Sequence, residues 1–131
     1  MAPRAIRVLL VNRQINALVK LKQALEQTGK FEVKTFGSFN AALEFLRTRS
    51  HDVAVLDFTM PRLSGVDMVL QARAIQPDIA IIASPAKPDV QSVVRDLQLS
   101  GVVDFPISAR QLIPLLEHAA THTIDVIPDT S

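Results

Sequence analysis

Four short apolar runs punctuate the chain: "IRVLLV" (6–11), "DVAVL" (52–56), "IAIIA" (79–83) and "GVV" (101–103). They are too continuous for strands with one wet face and too short for independent helices, so they read as strands covered on both sides. A further run, "FEVKTF" (31–36), alternates Phe31, Val33 and Thr35 with Glu32 and Lys34, which places it at a sheet border. Helical spacing fills the intervals. Ile15, Leu18, Val19, Leu21 and Leu25 form one face of a helix from about Gln14 to Gln27, with Gly29 as its stop. Ser38 is the expected N-cap for "FNAALEFLRTR", where Leu43 and Leu46 make the stripe, and Gly65 precedes "VDMVLQARAI" with Val66, Val69 and Ala72. "PDVQSVVRDLQ" aligns Val90, Val93, Val94 and Leu97. A last helix runs from Ser108 towards Ala119, and Pro114 within it removes the bond to the Arg110 carbonyl. That helix is either kinked or late in starting.

Strand and helix thus alternate five times. Parallel strands need crossover helices, so the expected class is α/β, a doubly wound (βα)5 fold. With the alternating second strand at the edge, the order is the flavodoxin-like 2-1-3-4-5, in which reactive groups gather at the C-terminal ends of strands 1 and 3. Asp57 falls at the end of strand 3. The reading gives one domain over 1–122 and a tail or linker over 123–131, where "THTIDVIPDTS" loses its periodicity.

Composition narrows the function classes. The chain has 131 residues, 48% of them apolar, enough for one sizeable core. Fourteen basic and thirteen acidic side chains leave a net charge of +1 with no like-charge block, so neither a nucleic-acid stripe nor an acidic tail is expected. No apolar run approaches the ~20 residues of a spanning helix, and the N-terminus lacks a cleavage-site pattern, which points to a cytoplasmic protein without a membrane partner. The chain has no cysteine. His51, His118 and His122 lack metal-ligand spacing and are expected on the surface, and Lys20, Lys22 and Lys30 read as a solvated helix face and end.

The segment "LDFTMPRLSG" resembles the stretch after strand 3 in receiver domains of bacterial two-component response regulators, and "PDIAII" and "GVVDF" fall at matching separations. The resemblance implies a phosphoacceptor at Asp57 and a Mg²⁺ ion held by that aspartate, an acid after strand 1 and the carbonyl two residues past the acceptor, here Thr59. Four positions depart from the pattern. Where the family has an acidic pair, this chain has Asn12 and Arg13 in "LLVNRQ"; a neutral oxygen and a permanent cation replace two carboxylates. The switch hydroxyl after strand 4 falls on Pro85 in "ASPA", with Ser84 beside it, and the lysine after strand 5 has no counterpart in "DFPISARQ".

The expectation is therefore an atypical receiver that works through protein–protein contacts and is not an enzyme. No cofactor is required, and Mg²⁺ binds weakly at most, at Asp57, Asn12 and Thr59. Arg13 has two readings, a solvent-facing arginine at a helix start or a replacement for the ion; in the second, a guanidinium ~4 Å from Asp57 is worth roughly 4 kcal/mol in gross Coulomb energy at a dielectric of 20, before desolvation. The partners implied are a histidine kinase, an output domain or a second copy. The partner face is drawn at Val90, Val94, Arg95, Phe105, Arg110 and Leu112. A working phosphoacceptor at Asp57 is the alternative. A flavodoxin-like flavin or nucleotide binder is a third reading, disfavoured by the lack of Trp, Tyr and any glycine fingerprint.

Overall fold

A computed structural model describes residues 4–121. The order is β1 (Ile6–Val11), α1 (Ile15–Glu26), β2 (Phe31–Phe36), α2 (Phe39–Thr48), β3 (Val53–Asp57), α3 (Gly65–Ile75), β4 (Ala80–Ser84), α4 (Pro88–Gln91), β5 (Gly101–Val102) and α5 (Ala109–Thr121). All five strands are parallel in the order β2-β1-β3-β4-β5, the expected flavodoxin-like arrangement.

The unbroken apolar strands are explained by the two layers they separate. Alternate residues Val8, Leu10, Val53, Val55, Ala80 and Ile82 meet Leu18, Leu21 and Leu25 of α1 and Leu112, Leu116 and Ala119 of α5. Their neighbours Leu9, Val11, Ala54, Leu56, Ile81 and Ala83 meet Leu43 and Leu46 of α2 and Met68, Val69 and Ala72 of α3. Period-two alternation therefore distributes apolar side chains to both faces. β2, an edge strand, leaves Glu32 and Lys34 partly exposed, as its alternation predicted.

Helix ends follow the sequence closely. Ser38 caps α2 through the Ala41 amide and Ser64 caps α3 through the Asp67 amide. Gly29, at φ +76°, ends α1. Gly65 has a packing reason as well, because a Cβ there would lie 2.2 Å from the Phe58 ring. α5 runs through Pro114 without a late start, losing only the bond that the Arg110 carbonyl would have received.

α4 departs from expectation. Only Pro88–Gln91 is α-helical, not the whole of 88–98. The Ser92 hydroxyl donates to the Asp89 carbonyl at 2.7 Å, and the Val93 and Val94 amides reach back three residues instead of four. Such tighter bonds, beside two β-branched residues, break the α-helical ladder. The turn still ends in an ordered way: Leu99 N donates to Val94 O and Gln98 N to Arg95 O around Gln98 at φ +51°, the Schellman pattern on a non-glycine residue. Arg73 of α3 reaches over to donate to the Leu97 and Gln98 carbonyls.

His51 is also corrected. It is buried, not on the surface, where its Nδ1 donates to the Arg49 carbonyl at 2.9 Å and its ring lies 5.4 Å from Phe45. His118 is exposed on α5, while His122 and the tail expected from residue 123 lie outside the described residues. No helix among the described residues is long and apolar enough to cross a membrane.

Candidate functional site

Asp57 is the last residue of β3 and only 3% exposed. The parallel register sets it beside Ser84, the last residue of β4, and the Phe58 amide donates to the Ser84 carbonyl at 2.8 Å. β1 delivers Asn12 just past its own C-terminal end. Three strands thus aim their ends at one place. The cavity above them, of about 230 Å³, is lined by Asn12, Arg13, Gln14, Asp57, Thr59, Ser84, Pro85, Lys87 and Phe105.

The carboxylate is held by short-range donors. Asp57 Oδ1 accepts from the Thr59 amide at 2.8 Å and from its hydroxyl at 2.6 Å, and Oδ2 accepts from the Arg13 amide at 3.4 Å. Asn12 is similarly committed: its Oδ1 accepts from the Gln14 amide at 2.8 Å, closing a side-chain turn that leads into α1. The neutral oxygen expected to face an ion is therefore already a backbone acceptor.

Every pocket residue expected from the sequence, Asn12, Arg13, Thr59, Ser84 and Pro85, lines this cavity with Asp57. Of the two readings of Arg13, the structure has the solvent-facing one, with no ion pair to Asp57. Arg13 approaches Asp57 through its backbone amide, while its exposed side chain also borders a second cleft beside Ser38, Phe39 and Met60. The turn closed by Asn12 fixes the Arg13 main chain next to the carboxylate, so the guanidinium is free to extend into water, which solvates it better than a buried acid would.

Three residues of the cavity escaped the sequence reading: Gln14, which follows the turn closed by Asn12, Phe105 and Lys87. Phe105, assigned to a partner face, is half-buried and lines the cavity, because the chain turns at Pro106 just beyond β5. Lys87 lines it from the loop between β4 and α4. The close spacing of Pro85, Lys87 and Pro88 was the available signal, a loop too short to carry a lysine far from the strand end. The partner face is corrected further: Leu112 is fully buried and Val90 is 5% exposed, both facing the core, whereas Arg95 and Arg110 are exposed and Val94 is partly so.

The donor set does not fit a resident Mg²⁺. A hard divalent ion needs several oxygen donors with enough negative charge, and this cavity offers one carboxylate, Asp57, with only neutral oxygens on Asn12, Gln14, Thr59 and Ser84 and two basic residues, Arg13 and Lys87, in the same lining. Among the described residues no three His, Cys, Asp or Glu side chains gather as metal ligands.

Residues 8–126 match the family model of the response regulator receiver domain. The chain belongs to the response regulator receiver family. It is 32% identical over 110 residues to the transcriptional regulatory protein PrrA of Mycobacterium bovis, covering 84% of this chain and 46% of that protein. It is 30% identical over 117 residues to a probable chemotaxis protein CheY of Rhizobium etli, covering 86% of this chain and 90% of that one. A receiver-domain crystal structure from Clostridium thermocellum superposes with a TM-score of 0.76 at 25% identity, covering 89% of this chain and 95% of that one. The receiver chain thus spans about half the length of the regulator PrrA and nearly all of the CheY relative. Receiver domains are regulatory, and no catalytic enzyme family is indicated.

Proposed function

We propose that this receiver domain signals through protein–protein contacts largely without phosphorylation, keeping Asp57 at the acceptor position but not the metal site that phosphoryl transfer needs. The observation that carries this reading is the commitment of Asn12 Oδ1 to the Gln14 amide beside a lone carboxylate. A phosphoryl donor carries negative charge, so attack by a carboxylate needs a cation between them. Asn12 and Arg13 stand where acids would recruit that cation. Contacts to a histidine kinase, an output domain or a second copy are drawn over Val94, Arg95 and Arg110, with Phe105 at the margin.

A working phosphoacceptor is the second reading, favoured by the register that sets Ser84 beside Asp57 as a switch hydroxyl. Mg²⁺ titration followed by amide shifts, together with labelling by a small acyl phosphate, separates the two. The expected result is no saturable Mg²⁺ binding below about a millimolar and negligible label on Asp57. Tight Mg²⁺ binding with stoichiometric labelling would establish the second reading instead.

A further inference from the structure

Residues 88–99, which carry α4 and the turns after it, rest on the α2–α3 side of the sheet through a few apolar side chains. Val90 and Leu99 are buried there, and Val93, Val94 and Leu97 are partly so. The hydrogen bonds donated by the amides from Gln91 to Leu99 all close within residues 87–99. The Gln91 and Ser92 side chains bond only to the neighbouring Ala86 and Asp89 carbonyls. Among the described residues, the one polar tie from this segment to another helix or strand comes from Arg73 of α3. Its guanidinium donates to the Leu97 carbonyl and, at 2.9 Å, to the Gln98 carbonyl.

The tie falls where the main chain needs acceptors satisfied. Gln98 lies at φ +51°, and neither its carbonyl nor that of Leu97 receives a backbone amide. A planar guanidinium can span two adjacent carbonyls at once, which an ammonium cannot. Yet the arrangement is incomplete. Arg73 makes no ion pair among the described residues, and its Nε is buried without a partner. Burial accordingly lowers its pKa from the ordinary arginine value. A cation partly withdrawn from water for two neutral acceptors, with one donor unmet, holds with little surplus and opens readily.

We infer that Arg73 is a clasp on the turns after α4: closed, it holds residues 93–99 in one arrangement and so positions Val94 and Arg95; open, it lets them leave the α2–α3 side together. The consequence for binding rests on the reading that Val94 and Arg95 meet a protein partner. A partner that fits the ordered surface is favoured by the closed clasp, so Arg73 tunes affinity from outside the contact.

The test is amide hydrogen exchange on the whole chain at several low urea concentrations, in the parent, Arg73→Met and Arg73→Lys. Methionine keeps an unbranched apolar stem, and thermal melts verify that both variants fold. The expected result is exchange about tenfold faster at Leu97, Gln98 and Leu99 in Arg73→Met, with the weak urea dependence of a local opening. Arg73→Lys, which keeps the charge but cannot fork, should match it within about twofold. Arg47→Gln, on the exposed side of α2, should exchange as the parent does at these amides. Parent rates at 97–99 in Arg73→Met or in Arg73→Lys overturn the inference. So does an increase carrying the steep urea dependence of whole-chain unfolding, which is what a merely structural arginine would give. The contact reading is tested separately, by amide shifts at Val94, Arg95 and Arg110 as protein concentration rises. Their absence would count against a second copy as the partner and leave the clasp, which exchange alone decides.

Discussion

Asp52 and Asp57 stand at opposite ends of one strand and are stabilised in opposite ways. Asp52, just before β3, receives a forked pair of hydrogen bonds from the Arg4 guanidinium at 2.8 and 3.0 Å and a third from the Arg7 amide at 2.8 Å. Asp57, more deeply buried, receives only neutral donors, though Arg13 lies close enough to contribute its amide. A guanidinium closed onto the lower aspartate ties the N-terminal residues to the sheet. At the upper one, the cations stay on the rim and the carboxylate faces a cavity. The difference separates a charge used to hold the fold from a charge left accessible to a ligand or a reagent.

Restoring acids at the upper end should break this contrast most strongly. Asn12→Asp with Arg13→Asp places three carboxylates at the strand ends, a repulsive cluster that a divalent cation relieves. Mg²⁺ affinity should rise at least about tenfold, and the metal-free variant should melt about 5 °C below the parent. Labelling by a small acyl phosphate should rise only modestly, since Phe105 and Pro85 still line the cavity without offering donors to a phosphoryl oxygen. Melting curves with and without Mg²⁺ decide this. A double variant that ignores Mg²⁺ and melts with the parent would mean that residues 12 and 13 do not share an electrostatic site with Asp57.

Intermediate effects are expected at the lower end. Asp52→Ala removes the fork and leaves the Arg7 amide without its partner, at a cost of about 2 kcal/mol, while Asp57→Asn retains an oxygen for the Thr59 donors and should stay within about 0.5 kcal/mol. Acid titration sharpens the point. Burial works to raise the Asp52 carboxyl, but the Arg4 and Arg7 hydrogen bonds and charges outweigh it, so the folded value lies below 3.8. The unfolded chain then binds the proton first; this stabilisation is complete above pH 3.8 and is lost as pH falls through the folded value. Burial likewise lowers the His51 pKa below 6.5, against the opposing Arg49 carbonyl. Stability from that ring is complete above pH 6.5 and declines as pH falls towards the folded value. Urea midpoints against pH should lose the His51 step in His51→Gln and the lower step in Asp52→Asn, and should keep both in Asp57→Asn.

Much of this architecture was legible in the residues because burial on two faces leaves a strong pattern. The unbroken runs at Val53–Leu56 and Ala80–Ala83 are apolar for that reason, and the alternation of Phe31–Phe36 marks the single-sided edge. Ser38 and Gly29 announced their helix ends through chemistry local to a few residues. What escaped depended on side-chain direction. Leu112 and Arg110 are two positions apart on α5, yet one is wholly buried and the other exposed, so grouping them on one face ignored the helical turn. The length of α4 escaped because the valine stripe over 90–97 scores equally well as a helix and as irregular turns resting on the core. Arg13 was placed correctly in the cavity while its pairing stayed open between solvent and Asp57, since spacing locates a backbone and not the end of a long side chain.

The smallest expected effect bears most directly on that last point. Arg13→Ala should change stability by less than about 0.3 kcal/mol, since the Arg13 amide that reaches Asp57 survives the substitution. Arg4→Ala should cost about 0.5 to 1 kcal/mol, the ordinary worth of a forked but largely exposed pair. Single variants alone confuse pairing with helix propensity at the start of α1, so the decisive measurement is a pair of double-mutant cycles. Arg4→Ala with Asp52→Asn should show a coupling above about 0.5 kcal/mol, and Arg13→Ala with Asp57→Asn a coupling near zero. Raising the salt concentration should shrink the first coupling and leave the second unchanged. A coupling of about 1 kcal/mol between Arg13 and Asp57 that fades in salt would mean that the guanidinium closes onto the carboxylate in solution. The upper aspartate would then be stabilised as the lower one is, and the cavity would lose one of its two rim cations.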